Sequence, residues 1–126
     1  MSRLLRLMAY NISMAILNIQ HINENGLDPT YVEAGLTGDK VIPSRRTFLH
    51  IKNQKNSSSV TVTVVDTLTP EPSGSTCFDP NLSIIIEPNG ERLIGPISPN
   101  RFINLAGYAD IGYSNAASVI VAAITV

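Results

Sequence analysis

Residues 47–53 read TFLHIKN and residues 59–65 read SVTVTVV, with Gln54, Lys55, Asn56, Ser57 and Ser58 between them. In the first segment Leu49 and Ile51 share one side of an extended chain, and Phe48, His50 and Lys52 share the other. In the second, Val60, Val62 and Val64 alternate with Thr61, Thr63 and Val65. A two-residue period rich in β-branched side chains marks strands that bury one face, and the polar residues between them favour a turn. The pattern predicts a β-hairpin in a half-buried antiparallel sheet. Leu49, Ile51 and the valines would face a core. Phe48, His50, Lys52 and the threonines would face solvent or a neighbouring subunit.

The rest of the chain repeats this grammar. Residues 82–87 (LSIIIE) and 91–95 (ERLIG) flank Pro88-Asn89-Gly90, which predicts a second hairpin. Residues 12–22 (ISMAILNIQHI) fit both periods, but their β-branched content and the Asn23-Glu24-Asn25-Gly26 turn that follows favour a strand. Residues 28–30 and 35–38 carry loop signals. Residues 39–43 (DKVIP) predict a short strand or sheet edge that ends at Pro43, because proline cannot donate to a ladder. Residues 103–105, 107–113 (GYADIGY) and 117–126 (ASVIVAAITV) complete about eight short strands, with no helix longer than one turn and no internal repeat. Residues 66–80 (DTLTPEPSGSTCFDP), with three prolines, form the longest irregular stretch and the leading candidate for a contact loop. The expected fold is all-β: an antiparallel, jelly-roll-like β-sandwich over residues 12–126, preceded by an N-terminal arm at residues 1–11.

Composition narrows the function. The chain has 126 residues, 44% of them hydrophobic, enough for one domain that buries roughly two-thirds of its unfolded surface. Only 15% are charged, against about 25% in an average soluble protein. Asn, Ser and Thr fill the gap, as in an ordinary β domain or in a subunit packed among neighbours, where buried charge would be costly. Arg45, Arg46, Lys52 and Lys55 are the nearest thing to a basic cluster, and the net charge is −1. Without a basic stripe interleaved with aromatics, these residues read as solvated strand ends and no direct nucleic-acid partner is expected. No segment approaches the roughly 20 apolar residues of a membrane helix. Residues 1–8 (MSRLLRLM) have a signal-like start, but no convincing cleavage site follows, and a start at Met8 would make the first seven residues an extension.

Reactive constellations are sparse. Cys77 is the only cysteine, so neither an intramolecular disulfide nor a cysteine-based metal site is available. His21 and His50 lack further ligands at metal-binding spacing, although the fold could bring them near each other. Glu87 and Glu91 flank the Pro-Asn-Gly turn and could face each other. A glycosidase pair, however, needs an aromatic-lined cleft, and the chain has no tryptophan. Asp28, Glu33 and Asp39 lie in consecutive loops without the dense acid spacing of a calcium loop. No glycine-rich phosphate cradle occurs. No catalytic, metal or cofactor-binding residue is assigned, and a protein that acts by binding is expected rather than an enzyme.

One resemblance emerges from an ordered series of short motifs. These are Phe48-Leu49-His50-Ile51-Lys52-Asn53, Val60-Thr61-Val62-Thr63, Ile94-Gly95-Pro96, Phe102-Ile103-Asn104, Gly107 with Ile111-Gly112-Tyr113-Ser114, and residues 119–124. The series resembles the small β-sandwich proteins encoded among the head genes of tailed bacteriophages. Residues 1–11 and 66–80 are not part of that pattern. The resemblance implies a capsid decoration or cement protein on the outer shell of the virion, present in the host cytoplasm during assembly. Its implied partner is the major capsid protein, with the chain itself forming a dimer or trimer. Neck, tail or baseplate placement and a carbohydrate-binding host-attachment module are the alternatives. The arm and the 66–80 segment would make the inter-subunit contacts.

Overall fold

The computed structural model describes residues 15–68 and 80–126. The expected arm, Cys77 and most of the 66–80 segment lie outside them. The strands are β1 (Ala15–Ile16), β2 (Ile19–His21), β3 (Val32–Glu33), β4 (Asp39–Val41), β5 (Thr47–Asn53), β6 (Val60–Val64), β7 (Leu82–Ile86), β8 (Glu91–Ile94), β9 (Ala109–Tyr113) and β10 (Val119–Thr125), with a one-turn helix α1 (Pro99–Phe102). They form two sheets, as expected of an all-β sandwich. The first runs β1-β4-β9-β6-β7 and the second β2-β10-β5-β8, with β3 also on β10.

The predicted hairpin does not exist. β5 pairs with β10 and β8 in the second sheet, whereas β6 pairs with β7 and β9 in the first. The chain between them arches over the end of the core from one sheet to the other, so that Leu49 and Ile51 belong to one wall of the core and Val60, Val62 and Val64 to the other. All five are fully buried. The second predicted hairpin fails in the same way, since β7 and β8 lie in different sheets. Alternation reports which face of a strand is buried. It reads identically whether the next strand lies alongside or across the core.

The real pairing is nested. β4 pairs antiparallel with β9, β5 with β8, and β6 with β7. One two-stranded ribbon, joined at its tip by residues 65–81, is thus folded back across the interior twice, which is the wrapping of a jelly roll. At the first fold, Ser44 and Ile97 form a bridge and the Ile97 N–H donates to the Thr47 carbonyl at 2.8 Å. At the second, the Asn53 N–H donates to the Gly90 carbonyl (2.8 Å) and the Asn89 N–H to the Lys55 carbonyl (2.9 Å). Both strands of the ribbon therefore stay hydrogen-bonded through each fold.

Three further expectations change. Residues 15–22 form two strands, not one. β1 lies parallel to β4 and β2 parallel to β10, the chain switching sheets at Leu17 and Asn18. The 39–43 strand is internal, between β1 and β9. Residues 103–105 are not a strand: the Asn104 side chain accepts from the Ala106 and Tyr108 N–H groups and donates to Asp110, closing a turn. The core between the sheets includes Val41, Ile86, Ile97, Ile111 and Val121, all fully buried, and α1 inserts Phe102 at one end. Each such side chain contributes roughly 1.5–3 kcal/mol by leaving water.

Candidate functional site

Four arrangements stand out around this frame. The first is the outward side of the first sheet. The β6–β7 register places Thr61 opposite Ile85 and Thr63 opposite Ser83, and Thr63 also lies opposite Gly112 of β9. These residues share a face because their inward neighbours are buried or half-buried against the core. The patch is uncharged. Ile85 is 65% exposed and a Cβ added at Gly112 would meet nothing within 4 Å, so the surface is flat and open. Lys40 and Asp110, opposite each other on β4 and β9, bound it on one side.

The second arrangement covers the outer side of the second sheet. The Gln20 amide donates to the Thr30 carbonyl and accepts from the Thr30 N–H, both at 2.8 Å. This clamp returns residues 23–31 towards the sheet and sets Tyr31 edge-on to His50, with ring centroids 5.4 Å apart. The Tyr31 hydroxyl lies 2.6 Å from His50 Nδ1, His50 Nε2 lies 3.0 Å from Glu91 Oε1, and Lys52 Nζ stands 4.4 Å from the Tyr31 ring centroid. With Nε2–H donating to Glu91, Nδ1 accepts from the Tyr31 hydroxyl. Both imidazole nitrogens are then engaged, so the ring has no free lone pair with which to take a proton from an outside molecule. The arrangement fastens the 23–31 segment to β5 and β8.

The third is a buried polar pair. Asp39, 1% exposed, accepts from the Gly35 N–H (3.1 Å) and from the Tyr113 hydroxyl (2.8 Å). Burial, and then the Asp39 charge beside it, push the Tyr113 hydroxyl far above its ordinary value. The fourth is an open groove of about 400 Å³ beside the first ribbon fold, lined by Arg45, Arg46, Thr47, Phe48, Leu93, Gly95, Pro96 and Val126.

The structure separates most residues weighed from sequence. Glu87 and Glu91 do not face each other: Glu87 makes a two-point pair with Arg92 (2.7 and 3.1 Å), while Glu91 takes His50. Glu87 is held below the usual carboxylate range, first by a backbone hydrogen bond and then by Arg92. His21 and His50 sit on strands at opposite edges of β10, opposite Thr125 and Ala122 respectively. Among the described residues no three His, Cys, Asp or Glu side chains gather as a metal site, and the carboxylate of Asp39 is already occupied by Gly35 and Tyr113. The basic residues disperse. Lys52 joins Tyr31, Lys55 donates to the Asn115 carbonyl at 2.8 Å, and Arg45 and Arg46 line the groove. Sequence reading missed the His50–Tyr31 contact because a 19-residue separation leaves no local signal. The alternation that put His50 and Lys52 on one face was the only available hint.

Several motif residues serve folding. Asn53 ties the second ribbon fold, Gly95 and Pro96 lie in the first, and Ser114 exchanges hydrogen bonds with Thr61, N–H to carbonyl and N–H to hydroxyl, both 2.9 Å. No protein-family model matches the chain, and no curated protein or solved structure matches it.

Proposed function

We propose that this chain is a structural virion protein, a decoration or cement protein that binds and stabilises the head shell of a tailed bacteriophage. The major capsid protein is its partner. The observation that carries the reading is the uncharged outward patch of Thr61, Thr63, Ser83, Ile85 and Gly112 on the first sheet. Such a surface can be covered by a neighbour without desolvating a charge, which is the main cost of burying a polar face. The ordered motif series supplies the second support.

The chain acts by binding, and three of its aromatic residues favour a protein partner over a glycan. Among the described residues, Phe102 is buried, Tyr113 turns inward to Asp39, and Tyr31 packs edge-on against His50. They do not form one exposed platform on which a sugar ring could stack. Mixing the purified protein with shells assembled from the major capsid protein should give saturable co-sedimentation. Placing charge on the patch, as Thr61→Lys with Thr63→Lys, should weaken it by at least about ten-fold. Removing residues 1–11 should also weaken it while leaving the domain folded. Absence of co-sedimentation overturns the function. Full binding by the charged variant moves the contact away from the first sheet.

A further inference from the structure

We infer that the groove beside β8 is a docking site for an extended protein segment in which an apolar side chain adjoins carboxylates. The site does not depend on the virion reading. Three features define it.

Its floor is apolar. Phe48 reaches it from β5, Leu93 from β8, Pro96 from the first ribbon fold, and Val126 from the residue after β10. Leu93 is 67% and Val126 66% exposed. Two large apolar side chains are therefore left in water around a concavity of about 400 Å³, enough room for one large apolar side chain of a partner.

Its rim is positive. Arg45 and Arg46 are both exposed and line the groove, and among the described residues neither guanidinium is in an ion pair. The two carboxylates nearest in sequence to Leu93 are already engaged, Glu87 by Arg92 and Glu91 by His50. Two arginines outside any ion pair among the described residues, above an apolar floor, complement an acidic, apolar segment and repel a basic one. The chain's near-zero net charge makes this a local feature rather than a property of the whole surface.

Its wall is a free sheet edge. Among the described residues β8 ends the second sheet and pairs on one side only. The Asn53 N–H bonds the Gly90 carbonyl, and the ladder sets Ile51 opposite Arg92 and Leu49 opposite Ile94. In an antiparallel ladder bonded pairs alternate, so Arg92 and Ile94 direct their backbone groups to β5, while Glu91 and Leu93 direct theirs outward. A segment added along β8 would take hydrogen bonds from Leu93 and lay its side chain in the groove, with its carboxylates against the arginines.

The test is a selection of random dodecapeptides displayed on their own messenger RNA against the immobilised full chain, followed by affinity measurement of the enriched peptides. The expected result is enrichment of peptides with Asp or Glu next to Phe, Leu or Ile. Their Kd should rise at least about ten-fold for Arg45→Glu with Arg46→Glu, a pair of exposed side chains whose reversal leaves the core untouched. Leu93→Ser, also on the surface, should weaken the same peptides. No enrichment, enrichment without acidic residues, or equal binding to the charge-reversed variant each overturns the proposal. So does light scattering that shows the wild-type chain as a dimer and the charge-reversed variant as a monomer, because the groove would then hold a second copy.

Discussion

The side-chain amide of Asn53, at the end of β5 in the second sheet, donates to the carbonyl of Ile86, at the end of β7 in the first sheet, at 3.1 Å. The same nitrogen lies 3.0 Å from the Ser58 carbonyl and 3.2 Å from that of Glu87, while the amide oxygen accepts from the Lys55 N–H at 3.1 Å. One buried side chain therefore serves both arches of the second ribbon fold. It ties the end of β7 to both arches where the strands part.

Asn53→Ala should cost about 3 kcal/mol, since the hydrogen bonds that tie both arches to one buried side chain are lost together. Asn53→Asp should fare no better, because a carboxylate cannot donate to the three carbonyls. Urea unfolding of both variants checks this. A loss below about 1 kcal/mol would show that the arches hold without the side chain.

Gly95 sits where the ribbon first folds. A Cβ there would lie 2.8 Å from the Cβ of Phe48 and 3.1 Å from the Thr47 carbonyl oxygen. Neither is the far end of a flexible side chain, so Gly95→Ala must push β8 away from β5. The expected loss is about 2 kcal/mol, read as a lowered thermal midpoint. Gly112→Ala on the open face of β9 is the control, with a change within about 0.5 kcal/mol.

Tyr113 links stability to alkaline pH. Its hydroxyl is pushed up by burial and then by the Asp39 charge. Below about pH 10 the folded and unfolded chains both keep this proton, and the group adds no pH dependence. Above it the unfolded chain releases the proton and the folded one does not. Stability therefore falls as pH rises, by up to about 1.4 kcal/mol per unit from this group. Denaturant midpoints from about pH 9 to 11.5 should fall more steeply for the wild type than for Tyr113→Phe. Equal slopes would contradict the coupling.

Much of the fold was legible in the sequence because burial is written at the level of single strands. β5 and β6 alternate buried and half-buried residues along their whole lengths, as their side-chain pattern predicts. What could not be read was partnership. The residues between β5 and β6 suit a turn, but the device that carries the chain across the core is the Asn53 side chain, whose partners Ile86 and Glu87 lie more than thirty residues away. The sheet switch at Leu17 was hidden for a similar reason, as it depends on a bond from its N–H to the Lys40 carbonyl. At the surface, alternation placed His50 and Lys52 outward correctly. It could not foresee that Tyr31 would close over them, nor that Arg45 and Arg46 would meet Leu93 and Val126 around one groove.

If the chain coats a viral head, as proposed, its copy number in purified particles must be high. Quantitative mass spectrometry of intact virions should find it in numbers comparable with the major capsid protein, and imaging should place it on the outer shell. A handful of copies on the tail axis, or none in the particle, would rule out a head-coating role.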